Sequence, residues 1–367
     1  MPNYNGVWSL TTQLQYVSDW PSPPSFALFG IGSDAATYST VIEKIDMNTA
    51  GNASDFGDLT QGRYRGGALG SATRAVFGGG NADLSAGDGN NESDVMDYVT
   101  IATIGNATDF GNLTQKRLGL AGLSNSTRGV FSGGYSGSRY DVMDYITIGS
   151  TGNATDFGNL INTRFAGAAC ASTTRGLIGG GDNGSITDEI DYITIGSTGN
   201  GTDFGNLTVS KFAVAACAST TRGLIGGGDN GSITDEIDYI TIGSTGNGTD
   251  FGNLTVSKQD RAGLSSSVRG IFAGGGGGGG NSNVIDYVTI ASTGNASDFG
   301  DLTATKTRMG AASNSITGIF AGGNTGSNSN VVESVTIAST GNATDHGDLL
   351  ATKQYLAGCS GSHGGIA

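Results

Sequence analysis

The sequence predicts an all-β fold, a ring of seven four-stranded blades, and three observations carry that prediction. One Asp-centred unit recurs seven times, each unit divides into four short strand-like segments, and the two ends of the array are incomplete in complementary ways. The recurring acid is Asp55, Asp109, Asp156, Asp203, Asp250, Asp298 and Asp345, at spacings of 54, 47, 47, 47, 48 and 47. Self-similarity at such a period marks an array of supersecondary units that bury their faces against one another.

Within a unit, RFAGAACAS (164 to 172) reads as a small-residue strand and RGLIGG (175 to 180) as a second strand ending in Gly-Gly. EIDYITI (189 to 195) alternates with the β period and is rich in β-branched and aromatic residues, and TDFGNL (202 to 207) supplies the fourth strand. No window keeps a helical period. Four strands in about 47 residues is propeller arithmetic. An open β-solenoid would tolerate the same repeats, but the chain ends argue against it. The first unit, from SFALFGIGS (25 to 33), lacks an initial strand, and KQYLAGCSGSHGGIA (353 to 367) supplies one. A C-terminal strand that completes the first blade closes the ring and removes sheet edges.

The expected organisation is an N-terminal segment, 1–25, and a propeller, 26–367. The closing blade combines 26–60 with 351–367, and the others span about 63–113, 117–160, 164–207, 211–254, 258–302 and 306–349.

Every unit keeps Gly and Asn before the Asp, a Gly two after it and a Leu four after it; six have Phe next and the last has His346. A basic residue lies eight after the Asp: Arg63, Arg117, Arg164, Lys211, Lys258, Lys306 and Lys353. An acid lies twelve before it: Glu43, Asp97, Asp144, Asp191, Asp238, Asp286 and Glu333. Residues 168 to 211 repeat unchanged as 215 to 258. An apolar strand ending in Gly-Gly, a variable loop, a V-x-acid strand, then an aromatic, a Leu and a basic residue, as in 128 to 164, resembles the kelch repeat. The resemblance covers about residues 26 to 367 and departs from the kelch pattern where Phe157 and its equivalents replace the usual Trp. With GVWSL near the N-terminus, a Trp-Pro step and repeated DFG units, the chain also resembles kelch-like proteins of marine bacteriophages, especially cyanophage tail and virion proteins.

The DFG of each unit is not a kinase signature, because it occurs six times with no V-A-I-K strand and no H-R-D loop. Asn-x-Ser/Thr occurs in every copy, but a hairpin at GNATD explains that regularity without glycosylation. Phe157 is expected between blades, and Gly158 where backbones approach closely. Asp144 and its equivalents are expected to be buried against a basic partner, either the residue opening the first strand or the Arg of the STTRG turn (Arg74, Arg128, Arg175, Arg222, Arg269), since an unpaired buried carboxylate is costly. Cys170 and Cys217 occupy a small apolar position of the innermost strand.

Composition excludes further classes. Gly is 66 of 367 residues without a collagen period, and the net charge is −14, which opposes a nucleic-acid surface. No apolar run of membrane-spanning length and no Sec-type signal is present, so neither membrane insertion nor conventional secretion is expected. Three Cys without CxxC spacing and two His leave no metal site, no cofactor and no catalytic cluster, and the chain is expected not to be an enzyme. The Gly274 to Gly280 run lacks the Gly-Lys-Ser/Thr of a P-loop, and calcium at the Gly/Asp turns is left open.

Variation concentrates in the loop between strands two and three and in the linker into the next blade, where Tyr64, Leu118, Phe165, Phe212, Gln259, Thr307 and Gln354 follow the basic residue. Both connections lie on one face of an up-and-down blade, and loops varied over a fixed scaffold mark a recognition surface. The candidate binding residues on that face are Asp83, Asn90, Asn91, Tyr135, Arg139, Tyr140, Asp182, Asn183, Asp229, Asn230, Asn281, Asn283, Asn324 and Asn328. In the N-terminal segment, Trp8, Leu10, Leu14, Tyr16 and Trp20 beside a Pro-rich hinge form a candidate docking surface. Taken with the phage resemblance, the expectation is a virion structural or tail-fibre protein. It would dock on other tail proteins through its N-terminus and meet a host glycan or protein through its loops, with oligomerisation open. A cellular kelch-type interaction platform is the alternative, ahead of an oxidase-type or glycan-active propeller.

Overall fold

A computed structural model describes residues 25–34, 38–82 and 91–360, and none of these is helical. They form seven four-stranded antiparallel sheets. In blade 3, the strands from the axis outward are Ala121–Ser124, Arg128–Ser132, Val142–Thr147 and Thr155–Asn159. Blade 1 is composite: Phe26–Gly30, Val41–Asp46 and Ser54–Asp58 take Ala357–Ser360 as their inner strand, with Ala27 opposite Ser360 and Gly30 opposite Ala357. The predicted closure is therefore present.

The seven inner strands, Gly67–Gly70, Ala121–Ser124, Ala168–Ala171, Ala215–Ala218, Ala262–Ser265, Gly310–Ser313 and Ala357–Ser360, touch in a closed circle. Small side chains are needed there because seven strands crowd one axis. Serine hydroxyls tie neighbouring inner strands: Ser124 Oγ donates to the Gly70 carbonyl, Ser265 Oγ to Ala218 and Ser360 Oγ to Ser313. Cys170, Cys217 and Cys359 line the axial cavity of about 190 Å³, and burial pushes the Cys170 and Cys359 thiols up to about 12. They are protonated packing groups at neutral pH.

The core consists of inter-blade layers. Leu123, Met143, Phe157 and Leu160 of blade 3 meet Ala171, Ile178 and Ile193 of blade 4, and the other junctions repeat this. Phe157 reaches the layer through a β-bulge. Met143 pairs with Gly158 and Asp144 with Asp156, leaving the Phe between them unpaired and directed into the next blade. Asp156 Oδ1 accepts the Gly158 N–H at 2.9 Å. Gly158, at φ 134°, lies against the Gly199 carbonyl of blade 4, 2.5 Å from where a Cβ would stand. The Gly-Asn turn of blade 4 docks there: Gly199 N–H donates to the Phe157 carbonyl, Gly201 N–H to Asn159, and Asn200 Oδ1 accepts the Asn159 N–H. The recurring Asn thus clasps the preceding blade rather than stabilising its own turn. The same clasp closes the ring, from Gly51 and Asn52 onto His346 and Asp348.

The buried acids are paired with the basic residue opening the blade, as expected, in six blades. Asp97 meets Arg63 at 2.5 Å, Asp144 meets Arg117 at 2.7 Å, Asp191 meets Arg164 at 2.7 Å and Asp238 meets Lys211 at 2.5 Å. Glu333 meets Lys306 at 2.6 Å and Glu43 meets Lys353 at 3.3 Å. Blade 6 departs from the pattern. Asp286 pairs with Arg261 at 3.0 Å, while Lys258 instead donates to the carbonyls of Gly277 and Gly280, both at 2.9 Å. The glycine run is a carbonyl cradle for this displaced lysine. The STTRG arginines leave the buried acids alone and bridge blades from the outside. Arg128, for example, stacks 4.4 Å over Tyr145 and donates to the Ile195 carbonyl of blade 4. Blade 1 exchanges the two roles, with Lys44 lying 3.5 Å over Phe26.

Candidate functional site

Strand direction fixes which connections share a face. The linker into each blade and that blade's second loop pair directly, as in Leu118 with Tyr135, Phe165 with Asp182 and Thr307 with Asn324. The two variable connections therefore build one face. The chain enters the ring at Ser25, beside Phe26 and opposite Asp46, and the last described inner strand leaves at Ser360, opposite Ala27. Both points lie at the opposite face, with the Ser-x-x-Arg turns.

Many of the sequence-predicted loop residues are occupied in stitching this face together. Arg139 of blade 3 pairs with Asp182 of blade 4 at 2.7 Å. Burial would raise Asp182, but the Arg139 hydrogen bond and the Gly184 amide bring it below the ordinary carboxylate range. Tyr135 packs edge-on against Phe165, and the Tyr140 hydroxyl donates to the Ser136 carbonyl. Asn281 Nδ2 donates to the Asn324 carbonyl and Asn328 Nδ2 to the Ser33 carbonyl, each across a junction. Asn183 and Asn230 turn on themselves, accepting from Ser185 and Ser232. The backbone of Asn91 accepts from Ala82, and Asn283 is half-buried in a third strand. Asp83 and Asn90 lie outside the described residues, as do Trp8, Leu10, Leu14, Tyr16 and Trp20.

Asp229 is placed differently. It is the copy of Asp182 in the duplicated blade, but the neighbouring loop carries Ile186 where Arg139 stood. Asp229 lines a central cavity, and among the described residues its carboxylate is bonded only to the Gly231 amide. One duplicated residue thus becomes a neutralised strut in one blade and an unpaired anion in the next.

That cavity, about 540 Å³, is the funnel at the axis of the loop face. Its rim is the residue two after each basic position: Arg65, Gly119, Ala166, Ala213, Asp260, Arg308 and Tyr355. All seven are left-handed, with φ between 51° and 63°. Six are not glycine, a conformation that costs such residues about 1–2 kcal/mol each. A belt of backbone hydrogen bonds compensates: Gly119 N–H donates to the Arg65 carbonyl, Ala166 to Gly119, Asp260 to Ala213, Arg308 to Asp260 and Tyr355 to Arg308. In these five blades the left-handed turn aims the amide at the preceding blade.

The rim has two halves. Leu120, Phe165, Ala166, Phe212, Ala213 and Val214 make one side apolar. On the other, Arg308 Nε contacts Asp260 at 3.3 Å, and Arg65 donates to the Tyr355 hydroxyl at 2.8 Å. The Arg65 and Arg308 guanidiniums lie 4.5 Å and 4.9 Å from the Tyr355 ring centre. Tyr64 and Tyr38 extend this aromatic run outward. Sequence reasoning missed these residues although the signal was available, since the second linker position varies as freely as the first.

Among the described residues no group of three His, Cys, Asp or Glu is placed to hold a metal ion, and no helix is long and apolar enough to cross a membrane. The chain matches no protein-family model and no curated protein sequence.

Proposed function

We propose that the chain is a non-enzymatic recognition protein of a virus particle, a kelch-like, tail-associated propeller that presents its loop face to a host surface saccharide or protein. The observation that carries this reading is the polarity of the ring. The varied loops and the funnel occupy one face, and the chain enters and leaves at the other. A segment attached at Ser25 can hold the particle while the funnel points outward. The resemblance of the repeats to phage tail proteins supports the particle, and the fixed junctions beneath variable loops support recognition. Display in several copies would add weak sites through avidity.

Saturable adsorption of the full chain to intact candidate host cells tests the recognition half. Replacing every second loop by one uniform loop should abolish adsorption, and unchanged adsorption would reduce the loop variation to drift. Deletion of residues 1–22 tests attachment: a folded, truncated chain that still enters particles would sink the docking role.

A further inference from the structure

We propose that the polar half of the funnel is a binding site for a saccharide bearing a carboxylate, which Arg65 and Arg308 receive beside Tyr355. This rests on the recognition reading above and names the ligand class of that face. Among the described residues Arg65 has no carboxylate within ion-pair distance, and its one side-chain hydrogen bond goes to the Tyr355 hydroxyl. A guanidinium held against a ring keeps its remaining N–H groups in a fixed fork that matches a carboxylate. The two guanidiniums at this ring concentrate positive charge locally in a chain that is acidic overall, and Arg308 is shared with Asp260 while Arg65 is not.

The other features of the cup select a sugar over an acidic peptide. Asp229 and Asp260 lie in the same funnel, with one Asp260 oxygen already facing Arg308. These are acceptors for hydroxyl groups, and they would repel a ligand carrying several charges. Across the cup, Phe165 and Phe212 offer the apolar wall against which the C–H face of a sugar packs. A cavity of about 540 Å³ accommodates one or two sugar rings.

The test presents the full chain with uronate- and sialate-bearing oligosaccharides, each beside its carboxyl-reduced counterpart, and with triglutamate. Retention of at least one acidic saccharide is expected, with its reduced counterpart bound at least about tenfold more weakly. Arg65→Gln should cost a similar factor, and Arg65→Lys, which keeps the charge but not the fork, an intermediate one. Retention of no acidic saccharide, equal retention of a reduced counterpart, preference for triglutamate, or indifference to Arg65→Gln in a folded variant would each overturn the proposal. If the wild-type chain adsorbs to cells and Arg65→Gln adsorbs equally, the funnel assignment falls while recognition stands. If the wild type adsorbs to no cell, recognition itself falls.

Discussion

The blade junctions and the funnel rim are cut from the same repeat, yet they have diverged to opposite extremes. At the junctions, the Gly-Asn clasp, the bulged aromatic position and a buried acid–base pair recur in all seven blades, with exchanges such as Arg261 for Lys258 that keep the chemistry. At the rim, backbone geometry recurs and side chains do not, from Ala166 to Arg308. The difference follows from where free energy is committed. A junction side chain is enclosed by two blades, whereas a rim side chain only has to tolerate a left-handed backbone, whose amide at five of the seven positions already bonds the preceding blade. Substitutions should therefore be severe at the first and mild at the second.

The largest effect is expected where a buried charge loses its partner. Lys353→Met leaves Glu43 enclosed at the closing blade without a counter-ion and should cost about 3–5 kcal/mol at neutral pH, measured by denaturant unfolding. Lys353→Met with Glu43→Leu should recover most of that loss. The pH dependence separates charge from packing. Burial raises Glu43 above its ordinary value of 4.5, against the lowering influence of Lys353. For a raised acid, stability is fully present below the ordinary value and is lost as pH rises through the folded value. Removing the lysine raises the acid further, so the cost of Lys353→Met should shrink as pH falls toward 4.5, and the double variant should show no such trend. A pH-independent cost would mean that packing, not charge, holds this junction.

Next is the clasp. In Gly158→Ala, the new methyl would stand 2.5 Å from a backbone carbonyl of blade 4, at a φ that side chains rarely adopt. A loss of about 2–4 kcal/mol is expected. A loss below about 1 kcal/mol would show that the junction can open without consequence.

How much of this was legible in the sequence follows the same division. The repeat exposed the ring and the inter-blade Phe, because both depend on pattern within one unit, and the complementary incomplete ends of the array exposed its closure. The pairing of Asp144 with Arg117 followed from the cost of an unpaired buried carboxylate. The exchange in blade 6 did not, since only the folded linker shows that Arg261 reaches Asp286 while the glycine run draws Lys258 away. Nor did the funnel: Arg65 and Tyr355 are 290 residues apart and meet only because the ring closes. The loop residues chosen for their polarity include several that the fold spends on neighbouring loops, as with Arg139 and Asp182.

The smallest effect should come from the rim, and its sign is the informative part. Ala166 sits at φ 54° and Gly119 occupies the equivalent place in the preceding blade. Ala166→Gly relieves about 1–2 kcal/mol of left-handed strain and gives back about 0.4–1 kcal/mol through the greater freedom of the unfolded chain. A net gain of about 0.5 kcal/mol is expected, with the amide still donating to the Gly119 carbonyl. A loss above about 1 kcal/mol would mean that the alanine methyl is packed as a junction residue is. The rim would then be part of the scaffold, and its variety would no longer mark the face that selects a ligand.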